Sequence, residues 1–119
     1  MVIDDDPFIR EAARAVLEAA GYDATCAPDG VEGVKACAES GAGFALAVVD
    51  REMPYLDGPS AAKSLRALDP ALRVLGMADG SHGGDAGFAR AGVRAVLRKP
   101  FGGSELLRAV RAELDRDRS

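Results

Sequence analysis

The sequence predicts an α/β fold, a doubly wound parallel sheet with helices on both faces. Three observations carry this. Short apolar runs alternate with longer stretches of helical period, and the alternation repeats about five times. Capping and turn residues fall at the joints of that alternation. The chain has 119 residues, 48% of them hydrophobic and 29% charged, close to globular averages. A single core at this length buries roughly 65% of the surface that the unfolded chain exposes. That balance excludes a disordered tail, a collagen-like repeat and a disulfide-dense scaffold.

The elements follow in order. Met1 to Ile3 read as a first strand of about three residues, ending in Asp4, Asp5 and Asp6. Pro7 to Ala20 form a helix with Asp6 as its cap, Pro7 at its first position and Gly21 past its end. Its apolar stripe is Phe8, Ala12, Ala13, Val16, Leu17 and Ala20. Tyr22 to Cys26 are the second strand, and Val31 to Glu39 a helix capped by Asp29. Phe44 to Val49, the most strongly apolar run, are the third strand, and Pro59 to Leu68 the next helix. Leu72 to Met77 are the fourth strand. The segment from Asp79 to Gly87 holds four glycines and reads as a mobile loop running into a helix from Asp85 to Ala91. Ala95 to Arg98 are the fifth strand, and Glu105 to Leu114 the last helix, with Ser104 as cap and Leu106, Leu107, Val110 and Leu114 as stripe. The tail from Glu113 to Ser119 alternates charges and reads as a solvated, fraying end. Right-handed crossovers then favour a flavodoxin-like sheet in the order 2-1-3-4-5, with its site at the C-terminal ends of the strands.

Composition narrows the function. Fifteen basic against 19 acidic side chains give a net charge of -4, which argues against sequence-independent nucleic-acid binding. Cys26 and Cys37 fit neither a metal spacing nor a secreted framework, so they read as buried filler in a reduced, cytoplasmic compartment. The N-terminus lacks a secretory pattern, and the six residues from Phe44 to Val49 fall far short of the ~20 needed to span a bilayer.

The topology gathers polar groups from three strand ends: Asp4, Asp5 and Asp6 after the first, Asp50 after the third, Lys99 and Pro100 after the last. Crowded carboxylates repel one another unless a cation offsets them. Hard oxygen ligands with room for water suit magnesium and a phosphoryl substrate. Singly, each residue has a plainer reading. The aspartate run is equally a cap and a solvated turn, Asp50 a turn residue, Lys99 a surface lysine and Pro100 a loop proline. Lys99 is more pointed because the chain has twelve arginines and only three lysines. His82, alone in a glycine-rich segment, reads as an exposed loop residue and not as a phosphate donor.

In combination the residues resemble a known family, the receiver domains of two-component response regulators and hybrid histidine kinases. The resemblance spans nearly the whole chain. It rests on V-I-D-D-D-P-F-I-R at Val2 to Arg10, V-V-D-R-E-M-P-Y-L-D-G at Val48 to Gly58, A-G-V at Ala91 to Val93, and R-K-P-F at Arg98 to Phe101. It implies that Asp50 accepts a phosphoryl group from a partner phosphohistidine and that Lys99 contacts that group. It also implies that Asp4, Asp5, Asp50 and the backbone carbonyl of Glu52 hold magnesium. Asp57 and Gly58 resemble the family's turn after the third strand, where glycine permits a positive φ. The implied partner is a histidine kinase or a histidine phosphotransfer protein, and a homodimer through the fourth and fifth helices is common in the family. Neither nucleic acid nor membrane insertion is expected.

The sequence also departs from the family pattern. Receivers usually carry Ser or Thr at the end of the fourth strand, and the matching residue here reads as Met77, whose thioether donates no hydrogen bond. The companion position in the fifth strand, usually aromatic, falls on Val96. Ser81 is the next hydroxyl. Glu52 adds a negative charge at a side chain that the family pattern turns toward the site, with altered dephosphorylation and a metal contact as expectations. The short first strand suggests truncation, and residues 1–119 read as one receiver domain, a piece of a longer regulator. Two other readings stand beside this one. A degenerate receiver would dock partners through its last helix and neighbouring strand without a phosphorylation switch. A small magnesium-dependent phosphatase would use Asp50 as nucleophile, but it lacks a D-x-D pattern, since position 52 is Glu.

Overall fold

The computed structural model describes residues 1–41, 43–80 and 85–116. The predicted alternation is present throughout: β1 (Val2–Ile3), α1 (Pro7–Ala19), β2 (Cys26–Ala27), α2 (Gly30–Ser40), β3 (Leu46–Asp50), α3 (Gly58–Leu68), β4 (Arg73–Asp79), α4 (Asp85–Arg90), β5 (Val96–Lys99) and α5 (Gly103–Asp115). The five strands are parallel and ordered β2-β1-β3-β4-β5, so the predicted fold class and strand order hold.

Local chemistry sets the helix starts. An Asp6 carboxylate oxygen accepts the Phe8 N–H at 2.9 Å, and an Asp29 oxygen accepts the Glu32 N–H at 2.8 Å. Gly21, at φ +96°, lets the chain leave α1. The cap of α5 differs from expectation. Ser104 lies inside the helix, and the Gly102 N–H donates to Glu105 Oε1 at 3.0 Å, so an acidic side chain one turn in caps the end from within. The second strand also sits later than expected, with Cys26 and Ala27 pairing to Val2 and Ile3. The apolar character of Tyr22 and Ala24 reflects packing below the sheet edge and not strand pairing.

Side chains alternate across the sheet and build two cores. Ile3, Ala47, Val49 and Val74 pack with Ala61, Ala62, Leu65, Phe88 and Val93 on the face covered by α2, α3 and α4. Val2, Val48, Leu75 and Met77 pack with Ala13, Leu17, Leu106 and Val110 on the face covered by α1 and α5. All five residues of β3 are buried, which explains its continuous apolar run. Phe88 is fully buried over Gly76, where an added Cβ would come within 2.8 Å of its ring. Phe8, placed in the α1 stripe by periodicity, is instead 85% exposed, because the buried stripe runs through Ile9, Ala13, Val16 and Leu17 and leaves Phe8 beside it with exposed Ala12.

In the glycine-rich segment, β4 continues through Asp79 and α4 begins at Asp85. Ser81 and His82, and with them the expected centre of a mobile loop, lie outside the described residues, as does the tail from residue 117. Cys37 is buried as expected, Cys26 is half-buried, and both are free thiols. Among the described residues no helix is long and apolar enough to cross a membrane.

Candidate functional site

Strand register places the site. Val2 pairs with Val48, so the chain two residues on brings Asp4 level with Asp50. Across the sheet, Asp50 pairs with Met77, Met77 with Leu97, and Asp79 with Lys99. Asp4, Asp50 and Lys99 each stand two residues beyond a side chain of the α1/α5 face, namely Val2, Val48 and Leu97. A period of two therefore turns all three to that same face at the C-terminal ends of their strands.

The contacts follow. Lys99 Nζ donates to Asp4 Oδ2 at 2.8 Å and to Asp50 Oδ1 at 2.9 Å. Asp4 is fully buried and Asp50 is 6% exposed. Asp4 Oδ1 also accepts the Asp6 N–H at 2.9 Å, and Arg10 Nη1 donates to the Asp4 carbonyl at 2.9 Å. Asp6 and Arg10 thus hold the backbone that presents the acidic pair. The sequence signal for Arg10 is its place four residues after the Asp6 cap, one helical turn along the face toward the strand end. Carboxylate oxygens of Asp4, Asp5 and Asp50 lie within 4.8 Å of one another, with Asp5 the exposed member.

Electrostatics agree with this crowding. Burial, followed by the charges of Asp4 and Asp5, raises the Asp50 carboxyl to about 6, against the lowering effect of its hydrogen bond from Lys99. Burial works against the Lys99 ammonium, but its hydrogen bonds to Asp4 and Asp50 outweigh this and hold its pKa above the ordinary lysine value. Three hard oxygen donors, short of positive charge even with Lys99 among them, suit a divalent cation such as magnesium.

The remaining predicted residues fall around this centre. Pro100 follows Lys99 through a cis peptide bond. The Glu52 carboxylate is exposed and lies 2.7 Å from Arg51 Nη2, and it is not among the carboxylates grouped within 4.8 Å of one another. Asp57 caps α3 through the Ser60 N–H at 2.8 Å. Gly58 is required for a different reason than expected. Its φ is not positive, and a Cβ there would collide with the Asp50 carbonyl, so its smallness lets α3 begin against the end of β3. The positive φ in this loop belongs to Tyr55, at +71°.

The pairing of Met77 with Val96 is corrected. Met77 packs in the α1/α5 core, whereas Val96 packs against the opposite core with Phe88. Met77 is level with Leu97, and Val96 with Gly76. Alternation makes Ala78, 1% exposed and paired with Arg98, the residue at the end of β4 on the face of Val96. A methyl group stands there, one residue beyond the position expected from sequence.

Comparison with known proteins agrees with this geometry. A family model described as the response regulator receiver domain matches residues 1–111. The response regulator MprA of Mycobacterium ulcerans (strain Agy99) is 40% identical over 118 residues, covering 98% of this chain and 50% of that protein. The two-component response regulator ARR22 of Arabidopsis thaliana is 32% identical over 104 residues, covering 85% of this chain and 72% of that protein. The receiver domain of the Francisella response regulator 1452 superposes with a TM-score of 0.82 at 30% identity, covering 97% of this chain and 94% of that one. A CheY-like receiver domain protein from Methanospirillum hungatei JF-1 gives a TM-score of 0.88 at 24% identity, covering 96% of this chain and 90% of that one, a likeness of fold. The chain spans about half the length of MprA and of the transcriptional regulatory protein CseB of Streptomyces avermitilis, which it also matches.

Proposed function

The chain belongs to the response regulator receiver domain family, a signalling module of two-component systems, and on that premise we propose that Asp50 is its phosphoacceptor. The observation that carries the proposal is the convergence of Asp4, Asp50 and Lys99, through two hydrogen bonds below 3 Å, at the C-terminal ends of three strands. The donor is a phosphohistidine of a histidine kinase or histidine phosphotransfer protein. An Asp50 oxygen forms a bond to phosphorus as the imidazole nitrogen to phosphorus bond breaks, and the partner's histidine leaves. At neutral pH Asp50 is above its pKa of about 6 and is anionic without a general base. Lys99, already on Asp50 Oδ1, donates to a phosphoryl oxygen and offsets its charge. Asp6 and Arg10 keep the Asp4 backbone in place.

Asp4, Asp5 and Asp50, with the backbone carbonyl of Glu52, are the residues that would hold magnesium. When bound, the ion supplies positive charge against the carboxylates and the phosphoryl oxygens. Residues 1–119 act as one receiver unit of a cytoplasmic regulator, without direct nucleic-acid contact, and a homodimer is the assembly to test. The end of β4 offers no hydroxyl, because Ala78 occupies the Val96 face and Met77 the other. The output change therefore runs without a hydrogen bond from that position.

Intact-mass spectrometry after incubation with acetyl phosphate tests this. One phosphoryl adduct with magnesium, absent in the presence of a chelator and in Asp50→Asn, is the expected result. An adduct that persists in Asp50→Asn would overturn the assignment.

A further inference from the structure

At the end of the sheet opposite Asp50, an open groove of about 790 Å³ is lined by Arg66, Arg73, Arg94 and Arg116, with Glu113 the only acidic residue of its lining among the described residues. That volume falls in the ~300–1,000 Å³ range of ligand clefts. Arg66 comes from the last turn of α3, Arg73 from the start of β4, Arg94 from the turn before β5, and Arg116 from the end of α5. The seven residues of β4, at ~3.3 Å each, set this groove about 20 Å from the acidic site.

The charges in the groove do not cancel. Arg116 Nε lies 2.9 Å from Oε2 of the buried Glu113, which matches one charge. Among the described residues, four guanidinium groups against one carboxylate leave an excess of three positive charges in the groove, in a chain whose net charge is -4. Arg66 donates to the Gly92 carbonyl at 2.8 Å and Arg73 to the Glu113 carbonyl. Carbonyls are neutral, so these bonds fix the guanidinium planes without removing their charge. Each guanidinium carries five N–H donors, and one bond to a carbonyl leaves the fork able to take a carboxylate.

The lining also discriminates among anions. Among the described residues it holds no aromatic ring on which a base could stack; its apolar members are aliphatic, Leu72, Val74 and Val93 among them. A long nucleic acid would extend beyond the groove over a surface of opposite average sign to the one it needs. A short, locally acidic chain with interspersed aliphatic residues matches both the charge and the floor. We propose that this groove is a docking site for an acidic polypeptide segment, its Asp and Glu carboxylates on the arginines and its aliphatic side chains toward Leu72 and Val93. The site is independent of the phosphoacceptor reading.

Fluorescence anisotropy of a fluorescein-labelled Glu-Asp-Leu repeat peptide, titrated with the 119-residue chain, tests it. Arg94 is exposed, so its substitution leaves the fold intact. Binding should weaken about tenfold in Arg94→Glu, persist in Arg94→Lys, and vanish for the matching Gln-Asn-Leu peptide. Arg14→Glu on α1, outside the groove, changes the net charge equally and should leave affinity within about twofold. Equal weakening by the Arg14 and Arg94 reversals would overturn the proposal, since only bulk charge would then be at work. So would binding of inorganic tripolyphosphate without binding of the acidic peptide.

Discussion

Replacing Asp50 by Asn should stabilise the metal-free domain at neutral pH and leave it no more stable near pH 4. In the folded protein the Asp50 carboxyl titrates at about 6, pushed up by burial and then by Asp4 and Asp5 from an ordinary 3.8. Between those values the native state keeps a proton that the unfolded chain has released. Stability therefore falls as pH rises through this window and levels off above about 6. The gap corresponds to about 3 kcal/mol. Asn keeps the shape and still accepts a hydrogen bond from Lys99, which remains paired with Asp4 at 2.8 Å. The attraction to the lysine is already contained in that gap, and an amide only approximates the protonated carboxyl, so the expected gain is about 1–3 kcal/mol, or about 4–12 °C in Tm for a domain of this size. Urea unfolding of both proteins in a chelator, from about pH 4 to about pH 8, measures it. An Asn variant less stable than wild type at neutral pH, or a gain that persists near pH 4, would refute the reasoning. Added magnesium should stabilise wild type by binding only the folded state and give Asp50→Asn little.

Three further substitutions probe the supports of the site. Lys99→Ala leaves buried Asp4 and Asp50 without their ammonium; it should cost about 2–4 kcal/mol in urea unfolding and raise the Asp50 pKa further, read by carboxyl-carbon NMR. Tyr55→Gly should gain about 1 kcal/mol in thermal melts, because Tyr55 sits at φ +71° and, at 88% exposure, contributes little packing. Phe88→Ala should cost about 3–5 kcal/mol by the same assay, because the ring is fully buried over Gly76 and its loss opens a cavity in the core.

The order of elements was legible because each strand is an apolar run bounded by polar caps, and Asp6 and Asp29 cap as their spacing predicts. Asp4, Asp50 and Lys99 were legible because parallel topology alone gathers strand C-termini. What failed depends on register or on tertiary space. Cys26 and Ala27 pair one step later than the apolar run suggests, since hydrophobicity marks burial and not hydrogen bonding. Met77 is one residue short of the position on the Val96 face, because a single residue of register reverses the side-chain direction in a strand. Gly58 read as a turn glycine, but the demand on it is the nearness of the Asp50 carbonyl, a contact no local pattern encodes. Glu52 is exposed and paired with its neighbour Arg51, a local ion pair that a run of alternating charges does not announce. The arginine groove was invisible for a similar reason: its four cations come from four separate elements.

The most direct test of the central claim is to locate the phosphoryl group. The chain would be treated with acetyl phosphate and magnesium, reduced with borohydride to convert an aspartyl phosphate to homoserine, and mapped by tandem mass spectrometry. Homoserine at position 50, and at no other aspartate, is the predicted result. Homoserine at Asp4 or Asp5 with an unmodified Asp50 would contradict the account, because the acceptor would then be one of the residues assigned to hold the metal.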